Sequence, residues 1–308
     1  MNRCTPTSIT RKPPGWLILS LLAVVSAAAF VAACGGPGCG SSPTPTATVT
    51  ATSTPSASPS PTTAPTPTPS PTTTLSLYFL RGDELGVAQR RVPQTTMPAT
   101  AALRALLKGP SAAERAAELS SAIPAGTKLR SLALSQGIAT VNLSQAPGPS
   151  SSGGTIGMPG TAELVYTLTR FSTISGVRIE VDGRPWLAAD DSSPSRITYR
   201  RADFRSLEPA IFVETPGVGA ALGSPFSLSG TASVFEGSFT ARLLDSAGHS
   251  IVRTQVQASA GAPGRGRFRT TISFSTTAQS GTLIVYSQSM EDGSRQNEVR
   301  IPVGFSSD

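Results

Sequence analysis

The sequence predicts two folded domains: an α+β domain with a mostly antiparallel sheet, followed by an all-β sandwich. Between residues 75 and 187, segments with apolar residues at helical spacing alternate with short strand-like segments. From about residue 209 to residue 306, short strands separated by Gly, Pro, Asp and Ser recur, and no amphipathic helix is visible. The chain after the polar tether has roughly 230 residues, which is enough for two ordinary domains.

The N-terminal segment predicts export and anchoring. Arg11 and Lys12 precede an almost uncharged run over residues 16–33, which ends in small residues directly before Cys34. A positive start, an apolar middle and a small-residue end are typical of a secretory signal. Their order before Cys34 resembles the lipobox of bacterial lipoproteins, whose cysteine is acylated. We therefore predict a lipoprotein signal peptide over residues 1–33 and lipidation of Cys34. The alternative is an uncleaved transmembrane anchor.

A polar tether follows over residues 34–74. Residues 40–74 are nearly all Ser, Thr, Pro and Ala, and a segment without bulky apolar side chains cannot bury a core. At about 3.1 Å per residue in an extended polyproline conformation, it reaches on the order of 100 Å. The tether therefore predicts a spacer that holds the domains away from the membrane. Its Ser/Thr and Pro content leaves O-glycosylation open.

The charge balance does not indicate a nucleic-acid-binding protein. The chain of 308 residues has 25 basic and 18 acidic residues, a net charge of +7, and three of the basic residues precede Cys34. The remaining excess is too small to predict a nucleic-acid partner. It favours a mild attraction to anionic wall polymer or lipid headgroups. All three cysteines lie before residue 75, so we expect no disulfide framework in the folded part.

The first domain, residues 75–187, begins with extended segments over 75–80 and 87–92. A helix over 98–108 has one apolar face, with Thr96 as its expected cap, and Ser111 opens a second short helix as part of a capping box. Residues 129–134 and 138–143 read as a hairpin. Another helix, expected to be capped by Thr161, leads to a last strand over 177–181 and a tight turn at Asp182 and Gly183.

This domain resembles the GerMN domain of sporulation and germination lipoproteins. The resemblance covers about 110 residues, in the order of the family. It is carried by residues 100–110, 123–127, 139–144, 164–169 and 177–185. The resemblance implies an α+β fold and no enzyme activity, and it supplies no catalytic residue.

The second domain, residues 209–306, follows a linker predicted over 188–208. Its strands are expected at 211–213, 226–228, 232–234, 239–243, 251–256, 268–274, 283–286 and 299–303. Their short spacing and the turn residues between them predict a β-sandwich.

This second domain resembles Gmad2, the immunoglobulin-like domain that accompanies GerMN. The resemblance rests on residues 214–217, 224–225, 230–237 and 297–303, of which 234–237 are the most specific. In that setting Glu236 is of interest. A carboxylate that accepts backbone hydrogen bonds in a sandwich corner is favoured over a binding role.

No motif predicts catalysis, a metal or a cofactor. The glycines of 217–223 have the wrong spacing for a dinucleotide loop, and Pro225 prevents the helix that such a loop requires. His249 is the only histidine and lies in a predicted turn, which argues against a zinc site. Residues 81–83 form an Arg-Gly-Asp tripeptide that reads as a turn, and residues 264–269 read as the solvated face of a strand with Phe268 turned inward.

The sequence therefore predicts a non-catalytic, lipid-anchored protein on the extracytoplasmic face of the cell membrane. Its expected partners are the membrane, through the lipid on Cys34, and an envelope protein or a wall polymer. Exposed strand edges and the polar loop over 144–159 are the candidate surfaces. Envelope remodelling in sporulation or germination is the expected setting. The alternatives are an accessory protein of a sensor kinase, a wall hydrolase and a solute-binding lipoprotein.

Overall fold

The computed structural model describes residues 71–148, 158–186 and 198–306. The predicted signal peptide, Cys34 and the tether up to residue 70 lie outside these residues, as do residues 149–157 of the predicted polar loop. The described residues all belong to one compact unit of the chain. Within them, no helix combines the length and the apolar character that crossing a bilayer would require.

The described part of the first domain contains two sheets. One has the strand order β2-β1-β3 and the other β4-β5-β6-β7. All neighbouring strands are antiparallel except β5 and β6, which are parallel and are joined through a helix. The strands are β1 (Thr72–Arg81), β2 (Glu84–Pro93), β3 (Leu119–Ser120), β4 (Leu129–Ser135), β5 (Ile138–Leu143), β6 (Gly176–Val181) and β7 (Arg184–Pro185). The predicted α+β class with a mostly antiparallel sheet is confirmed.

In the described residues of this domain, three helices pack on these sheets: α1 (Pro98–Leu107), α2 (Ala112–Ala116) and α3 (Met158–Leu168). The predicted capping box is present, since Ser111 accepts from the backbone of Glu114 and the Glu114 side chain accepts from the backbone of Ser111. The cap predicted at Thr96 is wrong, because Met97 occupies the N-cap of α1 without a side-chain bond. Thr161 does not cap α3 either, because the helix begins three residues earlier and buries Thr161 inside the fold.

Helix α3 is buried on every side. Leu164, Val165 and Leu168 are fully buried on the predicted apolar face, and Tyr166 and Thr167 are fully buried as well. A helix that is enclosed all round lies in the middle of a core rather than on its surface. The helix packs against β1, α1 and β6 and against the segment that follows the first domain. It is therefore the central element of the first domain.

The second domain is a β-sandwich. Its two sheets have the orders β13-β10-β8 and β12-β11-β14-β15-β9. The strands are β8 (Ile211–Thr215), β9 (Ala221–Leu222), β10 (Phe226–Ala232), β11 (Ser238–Asp245), β12 (Ser250–Gln257), β13 (Gly266–Ile272), β14 (Ser280–Gln288) and β15 (Arg295–Phe305). The separate strand predicted over 232–234 is wrong, because β10 continues to Ala232 and a short 3-10 turn follows.

Residues 198–208, at the end of the predicted linker, pack onto the first domain. Tyr199 pairs with Val177 of β6 through two backbone hydrogen bonds of 2.8 and 2.9 Å. A 3-10 helix, Arg201–Leu207, follows and buries Phe204 completely. This end of the stretch therefore extends the fold of the first domain up to the start of the sandwich.

Candidate functional site

The contact between the two domains contains a group of polar residues that we call the Arg201 cluster: the buried Tyr78 and Tyr166 and the half-buried Arg201, Glu208 and Glu214. Tyr78 comes from β1, Tyr166 from α3, and Glu214 from β8 of the sandwich. Arg201 opens the 3-10 helix, and Glu208 follows that helix. The cluster therefore collects side chains from both domains and from the segment that joins them.

Arg201 is the centre of this cluster. Its guanidinium donates to Glu214 Oε1 at 2.5 Å and to the Tyr78 hydroxyl at 3.2 Å. It also donates to Thr169 Oγ1 at 2.9 Å and to the carbonyl oxygen of Tyr166 at 3.2 Å. The same group lies 4.7 Å from the ring centre of Tyr166 and 5.2 Å from that of Tyr78. One side chain therefore satisfies acceptors from both domains.

A second ion pair continues the cluster. The Tyr166 hydroxyl donates to Glu208 Oε1 at 2.6 Å, and Arg265 Nε lies 3.1 Å from Glu208 Oε2. Arg265 also donates to the Pro209 carbonyl oxygen at 3.0 Å and to Thr231 Oγ1 at 3.2 Å. Glu208 is thus held between α3 of the first domain and Arg265, which precedes β13.

Burial and charge set the ionisation states in the cluster. Burial raises the pKa of the Tyr78 and Tyr166 hydroxyls, so both act as neutral donors to the carboxylates. Burial alone would raise the pKa of Glu214, but the charge of Arg201 and the Tyr78 hydroxyl outweigh it and hold that pKa below its usual value. Burial alone would lower the pKa of Arg201, but its contacts with Tyr78 and Glu214 raise it.

Three aromatic rings close the apolar side of the cluster. The ring of Phe212 from β8 lies 6.0 Å from Tyr78 and 5.9 Å from Tyr166, and the two tyrosines are 5.5 Å apart. These tilted and edge-on arrangements are favourable for aromatic pairs. Since Tyr78, Tyr166 and Phe212 are at most 2 % exposed, the apolar core of the first domain continues into the sandwich.

A backbone joint lies next to the β15 side of the sandwich. Val218 accepts from Gln89 and donates to Val87, both at 2.8 Å, and so pairs with β2 in parallel. Gly219 donates to Pro302 of β15 at 3.1 Å. Val218 and Gly219 therefore connect a strand of the first domain to a strand of the second.

Two empty spaces remain along the contact between the domains in the described residues: one small cavity and one open groove. A cavity of about 110 Å³ is lined by residues of β2, β8 and β15, and by Arg81 of β1. A shallow, open groove of about 470 Å³ lies where Gln89 and Arg90 of β2 face Val303 of β15. The joint is therefore largely filled with side chains.

Glu163 is a buried carboxylate in the first domain. It is fully enclosed on α3 and accepts from Ser121 Oγ and from the backbone N–H of Ala122, both at 2.6 Å. Burial raises its pKa to about 8, although the two hydrogen bonds oppose the shift. Glu163 therefore ties the segment after β3 to the central helix.

Glu236 lies at a sharp corner of the sandwich. The structure places its side chain in solvent, so the expectation that this carboxylate accepts backbone hydrogen bonds within the corner is wrong. Its φ is +52°, and its carbonyl oxygen accepts from Gln257 Nε2 at 2.6 Å. A Cβ on Gly261 would approach the Glu236 Cα to 2.8 Å, so the corner is held by close backbone contact. The neighbouring Phe235 is 58 % exposed.

The histidine, the Arg-Gly-Asp tripeptide and the basic strand named in the sequence analysis lie in turns and strands of the fold. His249 is exposed in a turn, as predicted, and its ring lies 3.1 Å from Asp245. Arg81, Gly82 and Asp83 lie at the β1–β2 turn, where the Arg81 side chain is half-buried against the sandwich. Phe268 is buried and Arg269 is exposed, as predicted for that strand.

Within residues 71–148, 158–186 and 198–306, no group of three or more His, Cys, Asp or Glu side chains is arranged to hold a metal ion. The predicted lipidation site, Cys34, lies outside these residues.

Sequence reasoning missed the Arg201 cluster. Arg201 and Glu208 lie in a stretch that reads as a linker, and Tyr166 lies off the apolar face of its helix. No local signal distinguishes these residues from solvated ones. Glu163 had a weak signal, because it is the only charged residue between Met158 and Leu168.

Comparison with protein-family models identifies two domains. Residues 76–186 match the family Germane, described as sporulation and spore germination. Residues 210–294 match Gmad2, described as the immunoglobulin-like domain of bacterial spore germination. A search of the curated proteins found no significant match.

Solved structures with similarity to the chain include GerM proteins and a lipoprotein. The tandem GerMN domains of the sporulation protein GerM from Bacillus subtilis align at 16 % identity, with 60 % of each chain covered and a TM-score of 0.36. Less than two thirds of that structure is therefore spanned. The first GerMN domain of the same protein aligns at 17 % identity over 42 % of this chain and 99 % of that one, with a TM-score of 0.35.

A putative lipoprotein from Clostridium perfringens aligns at 22 % identity over 44 % of this chain and 93 % of that one, with a TM-score of 0.29. The family matches agree with the α+β and sandwich folds described above, in the same order along the chain. The chain thus carries a GerMN-like Germane domain followed by an immunoglobulin-like Gmad2 domain, both of sporulation and germination families.

Proposed function

We propose that this protein is a non-catalytic envelope protein that binds another protein through the corner formed by Phe235 and Glu236. The observation that carries the proposal is an exposed aromatic side chain on a rigid, strained corner. A non-glycine residue at positive φ costs on the order of 1–3 kcal/mol and persists only where its surroundings enforce it. Phe235 is 58 % exposed beside it.

The backbone around this corner supports a binding role. Gly237 donates to Val234 at 2.9 Å, and Ala262 donates to the same carbonyl oxygen at 2.8 Å. A Cβ on Gly237 would approach the carbonyl oxygen of Ala260 to 2.7 Å. Presentation by a rigid element lowers the entropy lost on binding, and aromatic residues are enriched at protein interfaces.

The Arg201 cluster supports the non-catalytic part of the proposal. Glu214 accepts hydrogen bonds from Tyr78 and Arg201, and Glu208 accepts from Tyr166 and forms an ion pair with Arg265. These contacts give the two carboxylates a structural role in joining the domains. The cavity of about 110 Å³ nearby is also small compared with the roughly 300–1,000 Å³ of sites for drug-sized ligands. A solute-binding role therefore has less support than a protein-binding role.

A photo-crosslinking amino acid at position 235, introduced into the protein in intact sporulating or germinating cells, tests the binding site. We expect a discrete adduct with one envelope protein. The matched control carries the crosslinker at position 290, because Met290 is even more exposed at 76 % but lies in the turn between β14 and β15. Equal adducts from both positions, or none from position 235, would reject the site. Release of muramyl fragments by the purified protein would instead support the hydrolase.

We further propose that the protein is held at the membrane by a lipid on Cys34. The charged start, the apolar run and the small residues before Cys34 support this. Metabolic labelling with a palmitate analogue should label the wild type and the Cys39→Ser variant but not Cys34→Ser. Labelling that survives in Cys34→Ser would refute the proposed lipid site.

A further inference from the structure

We propose that the outer face of the β13-β10-β8 sheet binds an anionic phosphodiester polymer of the cell wall. We call the surface formed by Arg170, Arg267, Arg269, Ser229 and Thr231 the basic face. The inference rests on the proposed location of the protein outside the cell, where such polymers occur. It concerns a different surface from the corner at Phe235 and Glu236.

The strand register places these residues on one side of the sheet. Arg267 is paired with Thr231, and Arg269 is paired with Ser229. Side chains of directly paired residues lie on the same face, and residues two apart on a strand share that face. Both arginines are exposed, while the residues between and beside them, Gly266 and Phe268, are buried. Two guanidinium groups therefore stand on one face beside the hydroxyls of Ser229 and Thr231, of which the Thr231 hydroxyl already accepts from Arg265 at 3.2 Å.

The first domain forms a wall along one side of this face. Phe212 is paired with Thr231, and its ring packs against Tyr78 and Tyr166 of the first domain. Arg170, which follows α3, reaches Thr215 of β8 at 3.4 Å. Ser229 and Thr231 are accordingly half-buried. The basic face is therefore an angled surface. Arg267 and Arg269 lie on the sheet, and Arg170 lies at its edge on the first domain.

The five residues of the basic face carry three positive charges and no negative charge. Strands β10 and β13 contain no acidic residue, and the sequence has no Asp or Glu between residues 246 and 290. Within the described part of the chain, no ion pair involves Arg170, Arg267 or Arg269. Glu214, whose pKa the charge of Arg170 also helps to lower, forms its ion pair with Arg201, and Glu208 forms its ion pair with Arg265. A surface that carries one sign of charge attracts counter-ions.

The chemistry favours phosphodiesters. Arginine forms bidentate hydrogen bonds with phosphate oxygens, and hydroxyls of Ser and Thr bind phosphate or polyol oxygens. Arg267 and Arg269 are two residues apart on a strand, a separation of about 7 Å along the chain direction. That separation is comparable with the distance between neighbouring phosphates on an extended phosphodiester backbone.

A polymer fits this face better than a membrane does. The large apolar side chains that are exposed in the described residues are Met97, Leu134, Phe235 and Met290, and none belongs to β10 or β13. The face thus lacks the apolar groups that insert into a bilayer interface. A thin polymer can also follow an angled surface, whereas a flat bilayer would meet only its rim.

The test is a titration of the full chain, purified in detergent, with deacylated glycerol-phosphate polymer labelled at one end. We expect binding that weakens linearly with the logarithm of the salt concentration. The Arg267→Gln/Arg269→Gln variant should bind about tenfold more weakly, with a salt slope lower by about two. Arg170→Gln should lower the slope by about one.

The matched control is Arg253→Gln. Arg253 is an exposed arginine on β12, in the other sheet of the sandwich, so the variant changes the net charge equally without touching the basic face. It should bind the polymer as the wild type does. Equal weakening by Arg253→Gln, or no binding by the wild type, overturns the proposal. Near-ultraviolet circular dichroism confirms that each variant is folded.

A second arm separates the polymer from lipid headgroups. The full chain is mixed with phosphatidylglycerol vesicles and with phosphatidylcholine vesicles, so that any lipid anchor contributes equally to both. Binding to phosphatidylglycerol that depends on Arg267 and Arg269, without binding to the polymer, overturns the proposal. Because this titration needs no protein partner, it can succeed even if crosslinking at position 235 fails.

Discussion

Arg201 shows how one side chain can join two domains. It is half-buried, and it bonds Tyr78 and Thr169 of the first domain as well as Glu214 of the second. When these side chains are buried on folding, they lose much of their favourable interaction with water. Removal of Arg201 therefore leaves a buried carboxylate and a buried hydroxyl without their main partner.

We expect Arg201→Ala to lower the free energy of unfolding by about 2 kcal/mol or more, because a partly buried ion pair would be broken from one side. Urea unfolding followed by tryptophan fluorescence measures the change. Arg130→Ala is the control: Arg130 pairs with Asp182 at 2.7 Å, but both side chains are more than half exposed, at 55 and 56 %. An exposed pair contributes about 0–1 kcal/mol. Equal losses in both variants would contradict the role assigned to Arg201.

Because the pKa of Glu163 is raised in the folded protein, we expect the free energy of unfolding to depend on pH. Burial raises this pKa from 4.5 to about 8, so the folded protein retains a proton that the unfolded chain releases. Stability contributed by Glu163 is therefore fully present below pH 4.5 and is lost as the pH rises through 8.

Replacement by Gln, which mimics the protonated acid, removes this dependence. Between pH 5 and pH 8, the unfolding free energy of the wild type should fall by more than about 1 kcal/mol relative to Glu163→Gln, since one unit of pKa shift corresponds to about 1.4 kcal/mol. Urea unfolding at several pH values measures the difference. Glu114, whose pKa is lowered by its bonds with Arg90 and Ser111 despite burial, is the control, and Glu114→Gln should show the opposite sign below pH 5.

At the scale of elements, the segment around Val218 links the sheets of the two domains. Val218 pairs with β2, and Gly219 bonds to β15. Gly217 makes this approach possible, because a Cβ there would lie 2.9 Å from the carbonyl oxygen of Val87. The glycine is needed for a close backbone contact and not only for a turn.

Gly217→Ala should therefore separate Val218 from β2 and destabilise the protein by about 1–3 kcal/mol, as overpacking does. Thermal unfolding measures the loss, and hydrogen exchange at the amides of Gln89 and Val218 locates it. The control is Gly304→Ala, because a Cβ at Gly304 would meet nothing closer than 3.8 Å. If Gly217→Ala leaves exchange at these amides unchanged, the joint does not depend on the glycine.

The boundary of a helix or strand can be predicted from the sequence only where the residues that set it are close together in the chain. The capping box at Ser111 and Glu114 was predicted because both partners lie within one turn. Thr161 failed as a cap because α3 is enclosed by the core on every side, and packing extends the helix beyond its polar start signal. The strand predicted at 232–234 failed because the corner at Glu236 depends on residues 258–262, which are distant in sequence.

At the scale of the molecule, the two domains behave as one unit. A single buried cluster runs through both, and the described residues belong to one compact unit. The Arg201 cluster and the Val218 joint connect them at two separate places. The Germane and Gmad2 domains of this chain therefore form one folded body, in which each domain covers apolar surface of the other.

Calorimetry should accordingly show a single unfolding transition, with a calorimetric enthalpy equal to the van't Hoff enthalpy. Arg201→Ala combined with Gly217→Ala should broaden or split this transition, because both connections are then weakened. Arg130→Ala combined with Gly304→Ala is the control and should leave one transition. Two transitions in the wild type would contradict a shared core.

The two domain types, most of their elements and the family resemblance can be predicted from the sequence, because the periodicity of apolar residues and the turn residues act over short distances. The sequence also contains every signal for the proposed lipid on Cys34. The tertiary structure alone decided which polar residues meet. Tyr78, Arg201 and Glu214 are 136 residues apart at their extremes, and only the folded backbone brings them to one place, because burial makes each of them depend on the others for its hydrogen bonds.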